Sequence, residues 1–396
     1  MSRFLSLLVL IVLGTPLVFG FPDTVSKVST VASPRGAPTV ATHADTLSPG
    51  LRSALSAFET DLTRRAIDLS SLRPGGPPKD GIPSIDDPRF VSTEAAANWI
   101  APQEPVLLVS HNEHTRGYPL QILIFHEIVN DIIGGMPVAV TFCPLCYSAI
   151  AFDRRVDGEA VEFGVSGLLR MSDLVMYDRK TESLWQQFTG RAIVGTLTGT
   201  ELDRLPAQIV SFQAFRETYP DAQVLSRDTG FDRPYGRNPY AGYEDVDTPP
   251  FAVSNATDGR LPPMSKVIAI PDENDPLAIP HAVSRSHGVI ETTVGEQRVV
   301  IFHSGTTVSA MDAGAIRDSG VDGTVGVFEP VIGDRRLSFE QNGDGEIIDR
   351  ETGTRWSTTG RGLEGPLSGR QLPRVEHGSY FAFAWLSFRP STRILN

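Results

Sequence analysis

Apolar positions in this chain recur mostly in short runs, with polar residues between them and Gly, Pro, Asn or Asp at their ends. That pattern predicts strands joined by turns. Val106–Val109, Pro137–Phe142, Ser148–Val156, Glu159–Val165, Leu174–Tyr177 and Val267–Ile270 read as strands. Ser148–Val156 and Glu159–Val165 should pair across an Asp157-Gly158 turn. Helical spacing is scarcer. Leu51, Leu55, Phe58, Leu62 and Ile67 fall on one face of a helix from Ser48 to Leu69. Ser92-Thr93-Glu94 opens a short helix reaching Ile100, with acidic charge near its start. Ile122 to Ile133 and Phe212 to Tyr219 are further helix candidates, and residues 73–88, rich in Pro, Gly and Asp, should be irregular. The expected class is mainly β, a β-rich α+β protein with few short helices.

The strands fall into two related sets. Asp178-Arg-Lys-Thr-Glu-Ser-Leu-Trp185 returns as Asp349-Arg-Glu-Thr-Gly-Thr-Arg-Trp356, and Thr189–Leu202 returns as Thr359–Leu372. With one deletion, eleven of twenty-four positions are identical, where chance gives about two. Upstream, Val106–Val109 aligns with Val267–Ile270, His126 with His287, and Val140-Thr-Phe-Cys143 with Val300-Ile-Phe-His303. Two tandem, internally related β units are expected, the first over 100–204 and the second within 262–396, ending in a C-terminal strand. Residues 21–99 would be a flexible leader followed by N-terminal helices, and 205–261 a connecting segment.

Composition adds a location. Phe4 to Phe19 is apolar behind Arg3, and Gly20 is small enough to precede a cleavage site, so residues 1–20 read as an export signal. An uncleaved anchor is the alternative. Gly14 and Pro16 interrupt a run already short for a membrane span, and no later run qualifies. The mature protein is expected outside the cytosol: periplasmic, on the cell surface or secreted. The 36 Gly and 30 Pro suit a turn-rich β protein, and a net charge of −12 argues against nucleic acid or an anionic membrane as partner.

Candidate chemistry concentrates at Cys143 and Cys146, the two cysteines of the chain. Their spacing suits one metal ion, a redox-active thiol pair or an inert disulfide. The residues that follow alternate like a strand, which resembles a metal-binding knuckle more than a redox site at a helix start. Tyr147 removes the c-type haem signature, and the lack of a second CxxC excludes a four-sulfur site within one chain. Further ligands would come from His126, His287 or His303, with His126 first. Thiolate with imidazole suits Cu(I) or Zn(II), copper slightly ahead.

Other signals are weaker. His111 and His114 form an HxxH whose second-unit counterparts are Asp272 and Asp275. Residues 340–351 approach a calcium loop but fall where the repeat puts a hairpin turn. Ser166 lacks a nucleophile-elbow setting. Met171 and Met176 read as core, and Trp185 and Trp356 as packing residues. Asn255-Ala-Thr257 would accept a glycan only in a eukaryote. The Arg227–Tyr243 loop, dense in Arg, Asp and Tyr, offers Arg233, Arg237 and Tyr240 as a ligand loop, or else a charged lid that packs the units together.

Several blocks together resemble a known family: His126–Asp131, Thr141-Phe-Cys-Pro-Leu-Cys146, Phe163–Gly167, Ser172–Asp178 and Ser226–Phe231. They are similar to the domain of unknown function 3179 family, over about residues 80–395. The resemblance implies an exported bacterial or archaeal protein and a whole member of the family. It implies no activity. Tyr147 and Arg170 depart from the family pattern, and neither departure touches the sulfurs.

The leading expectation is an exported metal-binding protein of redox character, its partner a small molecule or a metal donor or acceptor protein. A thiol–disulfide redox protein and a non-catalytic module for a sugar or peptide are the alternatives. Whether the chain is an enzyme stays open at this point.

Overall fold

The computed structural model describes residues 47–253 and 258–396. The export-signal segment, most of the leader and Asn255 lie outside the described residues. The architecture is mainly β, with several sheets, and no described α-helix exceeds seven residues. None is long and apolar enough to cross a membrane.

Two sheets share one plan. In the first, Ala207–Ser211, Pro105–His111, His114–Pro119 and Gln223–Leu225 lie side by side, the last pair parallel, and Phe90–Ser92 adds an edge. In the second, Gly378–Phe381, Lys266–Ile270, Leu277–Pro280 and Arg393–Ile394 follow the same order with the same parallel pair. Each sheet feeds a short helix, Leu120–His126 or His281–His287, that starts after a proline and ends on a residue with positive φ. Antiparallel strands follow in both halves: Ile128–Ile133, Met136–Cys143 and Ser148–Asp153 in one, Val289–Val294, Gln297–Ser304 and Thr324–Phe328 in the other. A four-stranded meander closes each half.

The repeated Asp…Thr…Trp signature has a local cause. Asp178 accepts hydrogen bonds from the Thr181 N–H at 2.6 Å and hydroxyl at 2.9 Å, which closes the turn, and from the Trp185 indole N–H at 3.0 Å. Asp349 does the same for Thr352 and Trp356. One buried carboxylate thus shapes a turn and satisfies a buried indole.

Three expected helices are corrected. The one expected from Ser92 to Ile100 covers only Thr93–Ala96. The helix predicted from Ser48 to Leu69 stops at Leu55. Asp61 then holds the Thr63 N–H and hydroxyl with its side chain, a local bond that competes with helical pairing. The helix predicted over Ile122–Ile133 ends at His126, and Ile128–Ile133 is a strand. Its β-branched run pairs along its whole length with Met136–Cys143, and cross-strand packing overrides helical spacing. The Asp157-Gly158 hairpin forms as expected, both residues at positive φ, but its strands are only two residues each.

One core spans both halves. Phe142, Cys143, Phe163 and Trp185 belong to the same buried cluster as Val267, Phe381 and Trp385. Phe188 stacks on Phe388 at 4.6 Å between ring centroids and meets Tyr380 at 5.0 Å. Replacing Asp178 by Ala would leave the buried Trp185 N–H unpaired and the turn open. Unfolding in urea should show a loss of about 2–4 kcal/mol, and Asp349→Ala should show a similar loss from the second half.

Candidate functional site

The strand Met136–Cys143 runs into a single tight turn, Pro144–Cys146, and Tyr147 in the left-handed region (φ 54°) starts the return into Ser148–Asp153. Cys143 pairs with Ser148 across the turn. Gln187 braces it from below, donating to Thr141 Oγ1 at 2.8 Å and accepting from Ser148 Oγ at 2.8 Å. The cysteines therefore sit in a knuckle between strands, as expected, and not at the start of a longer helix.

A second hairpin supplies the third group. Phe163–Arg170 and Asp173–Asp178 are joined by Met171-Ser172, both at positive φ, and Cys143 Sγ lies 3.8 Å from the Ser172 carbonyl oxygen. Asp173 is fully buried. Its Oδ2 accepts from the Gln186 amide and from the Phe188 N–H at 2.9 Å, while its Oδ1 has no hydrogen-bond partner. A ligand atom of Asp173 and the two sulfurs all lie within 4.8 Å of one another. Both cysteines are free thiols.

Glu127, the residue after the helix Leu120–His126, is the fourth acidic group. It adopts φ 59°, ψ −30°, and its carboxyl makes no hydrogen bond or ion pair among the described residues. Left-handed backbone is costly for a residue with a side chain, and such strain gathers at functional sites. Glu127, Tyr147, Met171 and Ser172 are four of the ten described non-glycine residues with positive φ, so the strain is concentrated here.

Burial dominates the electrostatics. It pushes the Cys143 thiol up, with Asp173 and Glu127 adding to the shift, and pushes the Cys146 thiol well up. Burial also raises Asp173 to about 7, against its hydrogen bonds, and Glu127 to about 8, with help from the nearby Asp173. None of the four is in an ion pair among the described residues. Arg170 is electrostatically coupled to Asp173 but hydrogen-bonds Gln186 instead.

A pocket of about 500 Å³ adjoins this cluster. Leu145, between the cysteines, lines it together with Glu127, Leu174, Tyr240, Tyr243 and Phe251. Gly167, at positive φ in a bulge, permits one wall. A Cβ there would come within 2.3 Å of the Pro77 carbonyl oxygen, so only glycine lets the 75–78 segment close over the strand. Ser166 braces the same bulge by donating to the Val175 carbonyl and accepting from the Leu168 N–H. The roof belongs to the Arg227–Tyr243 loop and its continuation. Tyr243 donates to the Leu145 carbonyl at 3.2 Å, and the next residue, Glu244, pairs with the buried Lys266 at 2.7 Å. Lys266 also pairs with Asp322 and lies 4.3 Å from the centre of the Tyr147 ring.

The structure does not bring the expected histidines to the sulfurs. Both ring nitrogens of His126 are taken, Nδ1 by the Pro83 carbonyl at 2.8 Å and Nε2 by the Tyr235 hydroxyl at 2.7 Å. His287 is exposed and bonds the Val283 carbonyl. His303 lies between Ser284 and the Asp322 carbonyl. His111 and His114 face each other across a hairpin. Of the loop residues, Tyr240 lines the pocket, whereas Arg233 and Arg237 are exposed and do not. In the 340–351 segment, Asn342 Oδ1 accepts from the Asp344 and Glu346 N–H groups and Glu351 accepts from Ser338, so these oxygens close a hairpin. Sequence reasoning missed Asp173 and Glu127. A signal for Glu127 was present, because its second-half counterpart is Gly288, at φ 67°. Asp173 falls within the family-like block Ser172–Asp178, but nothing there singled it out as a partner of the thiols.

This is a buried, acid-rich thiol site at the edge of an apolar pocket in a mainly β protein. The family described as "Protein of unknown function (DUF3179)" has a model that matches residues 79–392, and the chain belongs to it. No curated protein and no solved structure matches the chain.

Glu127 gives the metal-free protein a pH signature. The unfolded chain releases its proton near pH 4.5 and the folded chain near 8, so between these values the folded state keeps a proton that the unfolded state has lost. The contribution of this group is full below about pH 4.5 and falls as pH rises to about 8. Glu127→Gln should remove that fall, read as a flatter plot of urea midpoint against pH.

Proposed function

We propose that this chain is an extracytoplasmic metal-binding protein whose centre is formed by the Cys143 and Cys146 thiolates and the Asp173 carboxylate. The observation that carries the reading is the buried Asp173 carboxylate, one oxygen of which lies within 4.8 Å of both sulfurs. Among the described residues its Oδ1 takes no hydrogen bond from any nitrogen or oxygen and has only the thiols as neighbouring donors. A buried polar atom left unpaired is costly, and a cation between the three groups would remove that cost. It would also favour the deprotonated thiols that burial disfavours. Two thiolates select Cu(I) or Zn(II). Copper led while histidine was the expected partner; a carboxylate in that place favours zinc. The extracytoplasmic location rests on the export-like segment 1–20. The matching strand orders of the two halves support a tandem duplication, which we also propose.

A thiol–disulfide enzyme needs a thiol made acidic by a helix start or a nearby cation, and here both thiols are shifted the other way. The pair serves better as ligands than as a nucleophile.

The test is elemental analysis of protein purified from the exported fraction, beside a free-thiol count. About one zinc or copper per chain is expected, absent in the Cys143→Ser, Cys146→Ser double variant and held more than about tenfold more weakly by Asp173→Asn. Cobalt(II) reconstitution should give a sulfur-to-cobalt charge-transfer band that the double variant lacks. Protein that stays metal-free after anaerobic reconstitution with Zn(II) and with Cu(I) would sink the reading.

A further inference from the structure

Glu127 is an expensive residue for its place. The helix Leu120–His126 must end in a left-handed residue for the chain to turn into Ile128–Ile133, and the matching helix of the second half meets that need with Gly288 at φ 67°. Glycine takes this conformation freely, and glutamate does not. The strain is not repaid by a structural bond, because the carboxyl makes no hydrogen bond or ion pair among the described residues. It faces the pocket of about 500 Å³ instead, a size usual for small-molecule sites.

Tyr240 lines the same pocket, and its hydroxyl likewise makes no hydrogen bond among the described residues. The remaining wall is apolar and partly aromatic: Leu145, Leu169, Leu174, Tyr243 and Phe251. Two unpaired polar groups on an apolar surface are what a site needs to orient a mostly apolar ligand through one polar substituent. A carboxyl oxygen of Glu127 accepts a hydrogen bond whether or not the group is protonated, a tyrosine hydroxyl can donate one, and a hydroxyl group satisfies both at once.

We infer that this pocket binds a small, mostly apolar molecule of the phenol or aromatic-alcohol class, its hydroxyl donating to Glu127 and accepting from Tyr240. The aromatic side chains of Tyr240, Tyr243 and Phe251 favour a ring over a flexible chain. The inference stands apart from the metal centre. Leu145 places the ligand next to the thiols, but neither sulfur is needed to hold it.

Calorimetric titration of the purified chain with 2-naphthol and, as the matched probe without a hydroxyl, naphthalene tests this. Saturable binding of 2-naphthol is expected, weaker by at least about tenfold for naphthalene and for Tyr240→Phe. Glu127→Gly should lose the same preference while raising the thermal midpoint, because the left-handed position then carries no side chain. A gain in stability with a loss of binding cannot come from misfolding. The inference is overturned if neither probe binds, if both bind equally, or if Glu127→Gly lowers the midpoint and so marks the glutamate as structural. Retained binding in the double Cys→Ser variant supports the pocket even where the metal reading has failed.

Discussion

Four acidic groups, Cys143, Cys146, Asp173 and Glu127, share one buried region with no ion pair among them, and burial opposes charge on each. Burial disfavours ionisation, the nearby carboxyl groups add to the effect, and hydrogen bonds from the thiols and from Gln186 and Phe188 offset only part of it at Asp173. The surroundings are arranged to hold the groups together nonetheless. Gln187 braces the cysteine turn, Gln186 and the Phe188 N–H fix one oxygen of Asp173, and two hairpins pass through left-handed residues other than glycine. Side chains in strained, desolvated positions persist only where the rest of the fold over-determines them. Here the frame is the meander of Ile128–Asp153 packed in a core that both halves share.

The same frame ties the pocket roof to the second half. Lys266 opens a second-half strand, yet its ammonium pairs with Glu244 of the roof and with Asp322, and sits over Tyr147, the residue after Cys146. Burial works against its charge, and Asp322, Tyr147 and Glu244 outweigh it, so Lys266 stays protonated. A buried ion network of this kind contributes little net stability but makes each member costly to remove. It therefore acts as a positional constraint: the roof, the cysteine turn and the second half hold one another in place.

The local signals in the sequence were read well where one residue type has one physical use. Asp157-Gly158 made its turn, the Phe212–Tyr219 stretch formed a helix as far as Thr218, and the knuckle around Pro144 appeared between strands. Reading failed where local preference and long-range pairing disagree. Ile128–Ile133 continues a helical spacing, but its partner strand is available only in the fold. Repeat alignment points to the histidines, but it gives correspondence and not proximity. His303 takes the place of Cys143 in the other half, and its ring is held there by Ser284 and the Asp322 carbonyl.

The sequence by itself determined the strand-rich class, the family and the thiol pair, because periodicity, turn chemistry and residue type are local properties. Tertiary structure alone decided which groups meet those thiols. Asp173 lies twenty-seven positions beyond Cys146 and reaches it only because a second hairpin packs across the first. Proximity of that kind comes from sheet packing and shared burial, which no local pattern encodes.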